Sequence, residues 1–302
     1  MTTYNVTLFG LHFKISPVAF TLPIGENGWD IYWYGIIIAT GFLLAVLYAA
    51  RFAKRFNLNF DKLLDVVIVT TPVSILCART YYVLFDGERL GGISEFFGFG
   101  SNSGFSGLAI YGGVIGAAVC GILMCRLKKI NVLDALDLAS VGFIIGQGVG
   151  RWGNFTNQEA YGSFTGSTFW GMQSERTVRE MGEGLVHPCF LYESIWCIIG
   201  FFILNKLSKK RNFSGEISLY YCVWYGFGRG FIELLRTDSL MIGALKVSCL
   251  LSFLICIGAA TVLFLLNKKR RQKTADSGYT GVFGTDESED SGVKEEKEDN
   301  DE

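Results

Sequence analysis

The sequence predicts an all-α fold: a polytopic transmembrane helix bundle of about seven spans, with an external arm and loop region. Two observations carry this. Half of the 302 residues are hydrophobic while only 18% are charged, less charge than a soluble chain of this length usually carries. The apolar residues also gather into seven runs with charges concentrated between them. Most of these runs approach the ~20 residues that an α-helix needs to cross a bilayer core.

Residues 1–28 are mixed in polarity and have no signal-peptide pattern. The alternation Phe9, Leu11, Phe13, Ile15 predicts a short strand or an interfacial arm. The expected spans are 31–50, 63–85, 107–123, 132–149, 189–204, 217–235 and 244–266. The fourth and fifth are short, and the sixth contains charges.

Every second connection is basic. Arg51, Lys54, Arg55 and Lys62 follow the first span, and Arg126, Lys128 and Lys129 follow the third. Lys206, Lys209, Lys210 and Arg211 follow the fifth, and Lys268–Arg271 with Lys273 follow the seventh. By the positive-inside rule the N-terminus is expected outside and the C-terminus in the cytoplasm. The longest loop, about 154–187, then lies outside. The expected organisation is an external arm (1–28), a seven-span catalytic membrane domain (29–266) and a cytosolic tail (267–302).

The net charge of -1 conceals two opposed parts. From Thr274 onward the chain holds 11 acidic residues against Lys294 and Lys297, leaving 25 basic against 17 acidic residues before it. The tail is basic, then acidic and repetitive, a composition expected to be disordered. The eight cysteines lie in or beside apolar runs with no ligand-like pairing and are expected to be buried thiols. Small residues four apart, Gly113, Ala117, Gly121 and Gly142, Gly146, Gly150, are expected to let helices approach closely.

Ionisable residues inside spans cost roughly 2.5–3.5 kcal/mol on insertion scales and draw attention for that reason. Here they are Arg79, Glu193, Arg229 and Glu233, with Arg236 at the end of the sixth span and Arg151 and Glu159 where the fourth ends. Arg229, Glu233 and Arg236 share one helix face by their spacing. Several arginines at one bilayer face suit an anionic phosphate, since guanidinium donates bidentately to phosphate oxygens. Nothing resembles a P-loop, a metal-ligand cluster or a Ser-His-Asp set, and His12 and His187 are the only histidines. No cofactor, no metal and no nucleic-acid partner is expected. A transporter with a buried charged site is the alternative reading, but it would need a substrate route to both faces.

The stretch Gly150-Arg151-Trp152-Gly153-Asn154-Phe155-Thr156-Asn157-Gln158-Glu159-Ala160-Tyr161-Gly162 resembles the signature of the phosphatidylglycerol–prolipoprotein diacylglyceryl transferases, G-R-x-G-N-F-x-N-x-E-x-x-G. Three further patches agree in order: Trp33-Tyr34-Gly35, then His187-Pro188 with Leu191-Tyr192-Glu193, then Arg229-Gly230-Phe231-Ile232-Glu233 with Arg236. Two positions depart from the family pattern. Thr156 stands where an apolar residue is usual, and Tyr111 stands where many members carry a histidine.

The resemblance implies a bacterial plasma-membrane enzyme. It would move the diacylglyceryl group of phosphatidylglycerol onto the lipobox cysteine of a prolipoprotein signal peptide and release glycerol phosphate. It further implies a phosphate grip by Arg151 and Arg229, with Glu159 and Glu233 holding those arginines. Asn154, Asn157, Gly162 and Arg236 are then expected to shape the substrate site, Tyr34 and Tyr111 to bond the head group or assist proton transfer, and His187 to order the outer loop; the resemblance assigns no general base.

Overall fold

The computed structural model describes residues 3–23, 28–85, 96, 109–237, 241–242 and 245–280, with side chains through 272. The apolar runs form helices: α1 (Trp33–Phe52), α2 (Phe60–Phe85), α3 (Ile110–Leu127), α4 (Val132–Thr156), α6 (Cys189–Ser208), α7 (Glu216–Leu235) and α8 (Val247–Thr280). A short α5 (Glu175–Met181) lies in the long loop between α4 and α6. Six of these helices are long and apolar enough to cross a membrane. The sixth expected span, α7, has 20 residues but is less apolar, because it carries Glu216, Arg229 and Glu233. Glu216 and Glu233 are buried, whereas Phe227, Phe231 and Leu234 are exposed. The charges of α7 therefore turn inward. Outward apolar side chains such as Phe42, Leu47, Val119, Phe143 and Phe202 recur on the other spans, a surface that water would not tolerate but acyl chains do.

Neighbouring helices run antiparallel and meet where side chains are small. A Cβ on Gly41 would lie 3.2 Å from the Gly146 Cα, one on Gly142 would lie 3.3 Å from Ala45, and one on Gly153 would lie 2.8 Å from the Tyr34 ring. The expected Gly142–Gly146–Gly150 stripe is thus the seam between α4 and α1. On α3 the tightest approach falls one residue off the expected stripe. Cβ atoms on Gly112 and Gly116 would lie 2.4 Å and 2.6 Å from Cys77 of α2, while Gly113 and Gly121 only reach ordinary contact distance. Indoles lock α6 to α7: Trp196 and Trp224 stack at 4.1 Å, and each Nε1–H donates to the other's carbonyl.

At the end of the bundle away from the arm, Arg211 pairs with Asp134 and Asp137 at 2.7 and 3.0 Å. Asp137 also accepts from the Gly215 and Ser218 amides, capping the start of α7. Those donors satisfy a carboxylate that is wholly buried.

The arm and the long loop between α4 and α6 carry β-structure. Strands β1 (Tyr4–Leu8), β2 (Leu11–Ile15) and β5 (Met172–Ser174) form a sheet in the order β2-β1-β5, and β3 (Val18–Leu22) pairs with β4 (Trp29–Tyr32). The arm is thus built of strands. Its core of Val6, Phe155, Tyr161, Met172, Val186 and Phe190 fuses it to the ends of α4 and α6. Two boundaries differ most from expectation. α4 continues to Thr156 rather than stopping at 149, which puts Arg151 on the helix, and α8 runs to Thr280. The acidic stretch 281–302 lies outside the described residues.

Candidate functional site

The start of α1, the end of α4, the start of α6 and the end of α7 meet beneath the arm. Glu193, on the second turn of α6, is 2% exposed and sits between two arginines. Its Oε1 lies 2.7 Å from Arg151 Nη2 of α4, and its Oε2 lies 2.9 Å from Arg229 Nη1 of α7. The Tyr225 hydroxyl, one turn before Arg229, donates to Glu193 Oε1 at 2.8 Å. Arg229 also pairs with Glu233 at 2.6 Å, and Arg236 Nε lies 3.9 Å from the same carboxylate oxygen. Glu193 and Glu233 are almost sealed, whereas the Arg151 and Arg229 side chains keep 21% and 17% of their surface open. Arg151, Arg229 and Arg236 thus stand around two buried carboxylates, Glu193 and Glu233. Each guanidinium carries five N–H donors, more than these contacts use.

The signature stretch folds back on itself. Gln158 and Ala160 both take left-handed backbone, at φ 56 and 58°, a conformation uncommon for non-glycine residues. The resulting turn lets Asn154 Nδ2 donate to Glu159 Oε1 at 2.9 Å, while Asn154 Oδ1 accepts from Arg151 at 3.4 Å. Glu159 thus holds Arg151 only through Asn154. Asn157 contributes its carbonyl to Arg176 of α5 at 3.2 Å. Arg176 also pairs with Glu180 at 2.9 Å, and the Tyr161 hydroxyl donates to that carboxylate. The hydroxyl, then the guanidinium, hold the Glu180 carboxyl below the usual range.

Gly162 is where the loop, α6 and α7 close together. Its amide donates to the His187 carbonyl at 2.9 Å, and it bridges Arg236 in an antiparallel pair. A Cβ there would lie within 2.9 Å of His187, Cys189 and the Leu235 carbonyl, so a side chain would force the elements apart. His187 Nδ1 lies 3.2 Å from the Tyr192 hydroxyl and helps to fix the loop. Lys246, just before α8, donates to the carbonyls of Glu233, Leu234 and Arg236 at 3.0, 3.0 and 2.5 Å. It caps the end of α7 with a cation that favours the helix dipole.

Among the sequence-predicted residues, Arg151, Arg229, Glu233, Arg236, Asn154, Glu159 and Gly162 come together, and the Tyr34 ring packs against Gly153 beside them. Asn157 and His187 stand one layer out, in the loop. Tyr111 stands apart: it opens α3, is 63% exposed, and has its ring 6.5 Å from Tyr81. Arg79, buried on α2, donates to the Phe96 carbonyl at 3.1 Å. Sequence reasoning noted Glu193 among the membrane-embedded charges but left it out of the site. Tyr225 and Lys246 were missed as well. Tyr225 stands four residues before Arg229 on the charged face of α7, a spacing that could have revealed it. Lys246 carries no such signal.

A groove of about 630 Å3 opens between α1 and α6 over α4, lined by Trp33, Thr40, Tyr48, Trp152, Ile198 and Phe202 among others. It is almost wholly apolar and begins at the arginine end.

Residues 17–265 match the family profile described as prolipoprotein diacylglyceryl transferase. The chain is 39% identical to the phosphatidylglycerol–prolipoprotein diacylglyceryl transferase of Pediococcus pentosaceus over 281 residues, covering 90% of this chain and 96% of that protein. It is 41% identical to the like-named enzyme of Clostridium novyi over 259 residues (85% and 98%) and 41% identical to that of Streptococcus sanguinis over 263 residues (84% and 97%). A match that spans the arginine cluster, the signature turn and nearly every span leaves one conclusion: this chain belongs to the prolipoprotein diacylglyceryl transferase family.

Proposed function

We propose that this chain transfers the diacylglyceryl group of phosphatidylglycerol to the lipobox cysteine thiol of a prolipoprotein, in a bacterial plasma membrane with the arm outside and the C-terminus in the cytoplasm. The observation that carries the reading is the junction of Arg151 and Arg229 on one buried carboxylate. Two helices thereby present preorganised cationic donors at one end of a membrane bundle.

The reaction forms a sulfur–carbon bond at a glycerol carbon and breaks the adjacent carbon–oxygen bond to phosphate. The thiol loses its proton, and glycerol phosphate leaves with one more negative charge than the phosphodiester carried. Stabilising that growing charge is the demand on the protein. Donors fixed in advance, in a site shielded from water, meet it at no reorganisation cost. Arg151 and Arg229 are the residues we assign to it, with Arg236 adding positive potential. Glu193 does not act as the base in this scheme, because each of its oxygens already faces a guanidinium. Its role is to hold the two arginines at one spacing. Glu233 does the same for Arg229, and Glu159 for Arg151 through Asn154. The apolar groove beside Trp152 gives an acyl chain a place next to the head-group site.

The transporter alternative has no support here: the chain belongs to a transferase family, and Arg151, Glu193, Arg229 and Glu233 form one cluster at one end of the bundle. Purified protein in phosphatidylglycerol nanodiscs should release glycerol phosphate only when a lipobox peptide is added, and a Cys→Ser peptide should yield none. Release without the peptide, or none with it, refutes the proposal.

A further inference from the structure

A patch of the external region remains that the reaction does not use. The β1–β2 turn and the loop before β5 together expose Leu11 at 69%, Phe169 at 62% and Trp170 at 50%. The patch is ordered. Phe9 packs on Trp170 at 4.6 Å between ring centroids and donates its amide to the Gly171 carbonyl at 3.0 Å. Phe169 lies over Gly10, whose φ of +77° makes the sharp hairpin turn. A soluble surface does not usually fix several large apolar side chains in one exposed group.

The position of the patch says what covers it. Trp170 stacks parallel to Tyr192 of α6, at an interplanar angle of 10°, and its indole N–H donates to the Tyr192 hydroxyl at 2.7 Å. Tyr192 heads the helix face that continues through Ile195, Ile199 and Phe202, which are 48, 45 and 64% exposed. These residues follow one another at helical spacing on a span, on the side turned away from α4 and α7, so they face acyl chains. The aromatic patch is therefore continuous with the lipid-facing stripe of α6 and stands at its end. That is the level where tryptophan and tyrosine concentrate in membrane proteins, the ring in the apolar boundary and the polar atom satisfied.

We infer that Leu11, Phe169 and Trp170, braced by Phe9, rest in the bilayer interface and anchor the external region to the membrane beside α6. Each lining residue then has a role. Trp170 seats the loop on lipid and its bond to Tyr192 ties that seat to the helix turn bearing Glu193, while Leu11 and Phe169 add buried apolar area. The loop that carries the signature turn is thus held down at both ends, by the Gly162 closure and by lipid.

The test uses the full chain with its six tryptophans replaced biosynthetically by fluorotryptophan, in phosphatidylcholine–phosphatidylglycerol nanodiscs. Trp170→Phe identifies the Trp170 resonance by its disappearance from the fluorine NMR spectrum. Nitroxide lipids labelled at the head group or on an upper acyl carbon should erase that resonance, and a water-soluble paramagnetic chelate should leave it nearly intact. Erasure by the chelate with no effect from the lipids would place the patch in water and overturn the inference. Protection from both agents would show a protein covering it, and would overturn the inference equally. Should Trp170→Phe lower the yield of folded protein, labelling a Trp170→Tyr variant assigns the same resonance. Lipid transfer to a lipobox peptide is measured in parallel, so that a failed anchor is distinguished from a failed assignment of the reaction.

Discussion

Replacing Arg151 by lysine keeps the charge and removes the fork. The guanidinium reaches Glu193 Oε1 with Nη2 at 2.7 Å and Asn154 Oδ1 with Nη1 at 3.4 Å, while keeping donors toward the opening. A single ammonium nitrogen cannot hold both partners and still present two parallel donors to a phosphate. Glu193 stays paired with Arg229 at 2.9 Å, so Arg151→Lys leaves no buried carboxylate without a cation and should fold and insert normally. The loss falls on the transition state. Removing one preorganised donor to a developing oxyanion costs about 2.7–4 kcal/mol, which lowers turnover roughly 10²–10³-fold. The assay is single-turnover transfer of labelled diacylglyceryl to a lipobox peptide in nanodiscs, with protein amounts matched by gel filtration. A maximal rate within tenfold of wild type would refute the phosphate-fork reasoning. Arg271→Ala, in the last basic cluster, serves as the control and should leave the rate unchanged.

Four further outcomes are expected. Tyr111→Phe, at a residue that stands apart from the arginine cluster, should leave apparent lipid affinity and the maximal rate within several-fold of wild type; a thousandfold fall in that rate at unchanged affinity would make the phenol the base. Truncation after Lys273 should preserve insertion and turnover in a membrane-fraction assay, since the removed residues are acidic and follow the last span. Gly112→Val should loosen α2 from α3, because even its Cβ would fall 2.4 Å from the Cys77 carbonyl oxygen; thermal unfolding in detergent should drop by several degrees, as overpacking costs about 1–3 kcal/mol. Glu180→Gln should raise hydrogen exchange across residues 157–162 at neutral pH. Because the Glu180 carboxyl lies below the usual range, its support is present at neutral pH and lost as pH falls through that lowered value, so wild type should approach the variant only in acid.

Much of this architecture was readable in the sequence because membrane physics writes it there. Spans announce themselves by length and apolarity, and the stripe Gly142–Gly146–Gly150 marked a helix seam because only small residues permit one. Arg229 and Glu233 were legible as charges too costly to keep in a span without a role, and Arg151 by its place in the signature stretch. What stayed hidden depends on which neighbour each helix chooses. Glu193 is one carboxylate in a row of apolar residues until α4 and α7 are known to flank it. Lys246 reads as an ordinary loop cation until the fold aims it at three carbonyls. Tyr111 was grouped with the site by its place in a motif, yet its described contact is with Tyr81 on α2. The end of α4 was set short at 149 because Arg151 and Asn154 look like loop residues, whereas their partners let the helix run on.

The Lys246 cap carries a consequence for biosynthesis. Ribosomes deliver the chain from the N-terminus, so Arg151, Glu193, Arg229 and Glu233 are all made before Lys246 and the span after it. Until then the last carbonyls of α7 lack their ammonium partner. Gly226 and Gly230 likewise lack the α8 residues, Ser252 and Phe253, that pack against them. The end of α7 that carries Glu233 and Arg236 reaches its final setting only when the last span has been inserted. A nascent chain stalled before that point holds all four of those charged residues, yet the segment that sets the end of α7 is still unmade.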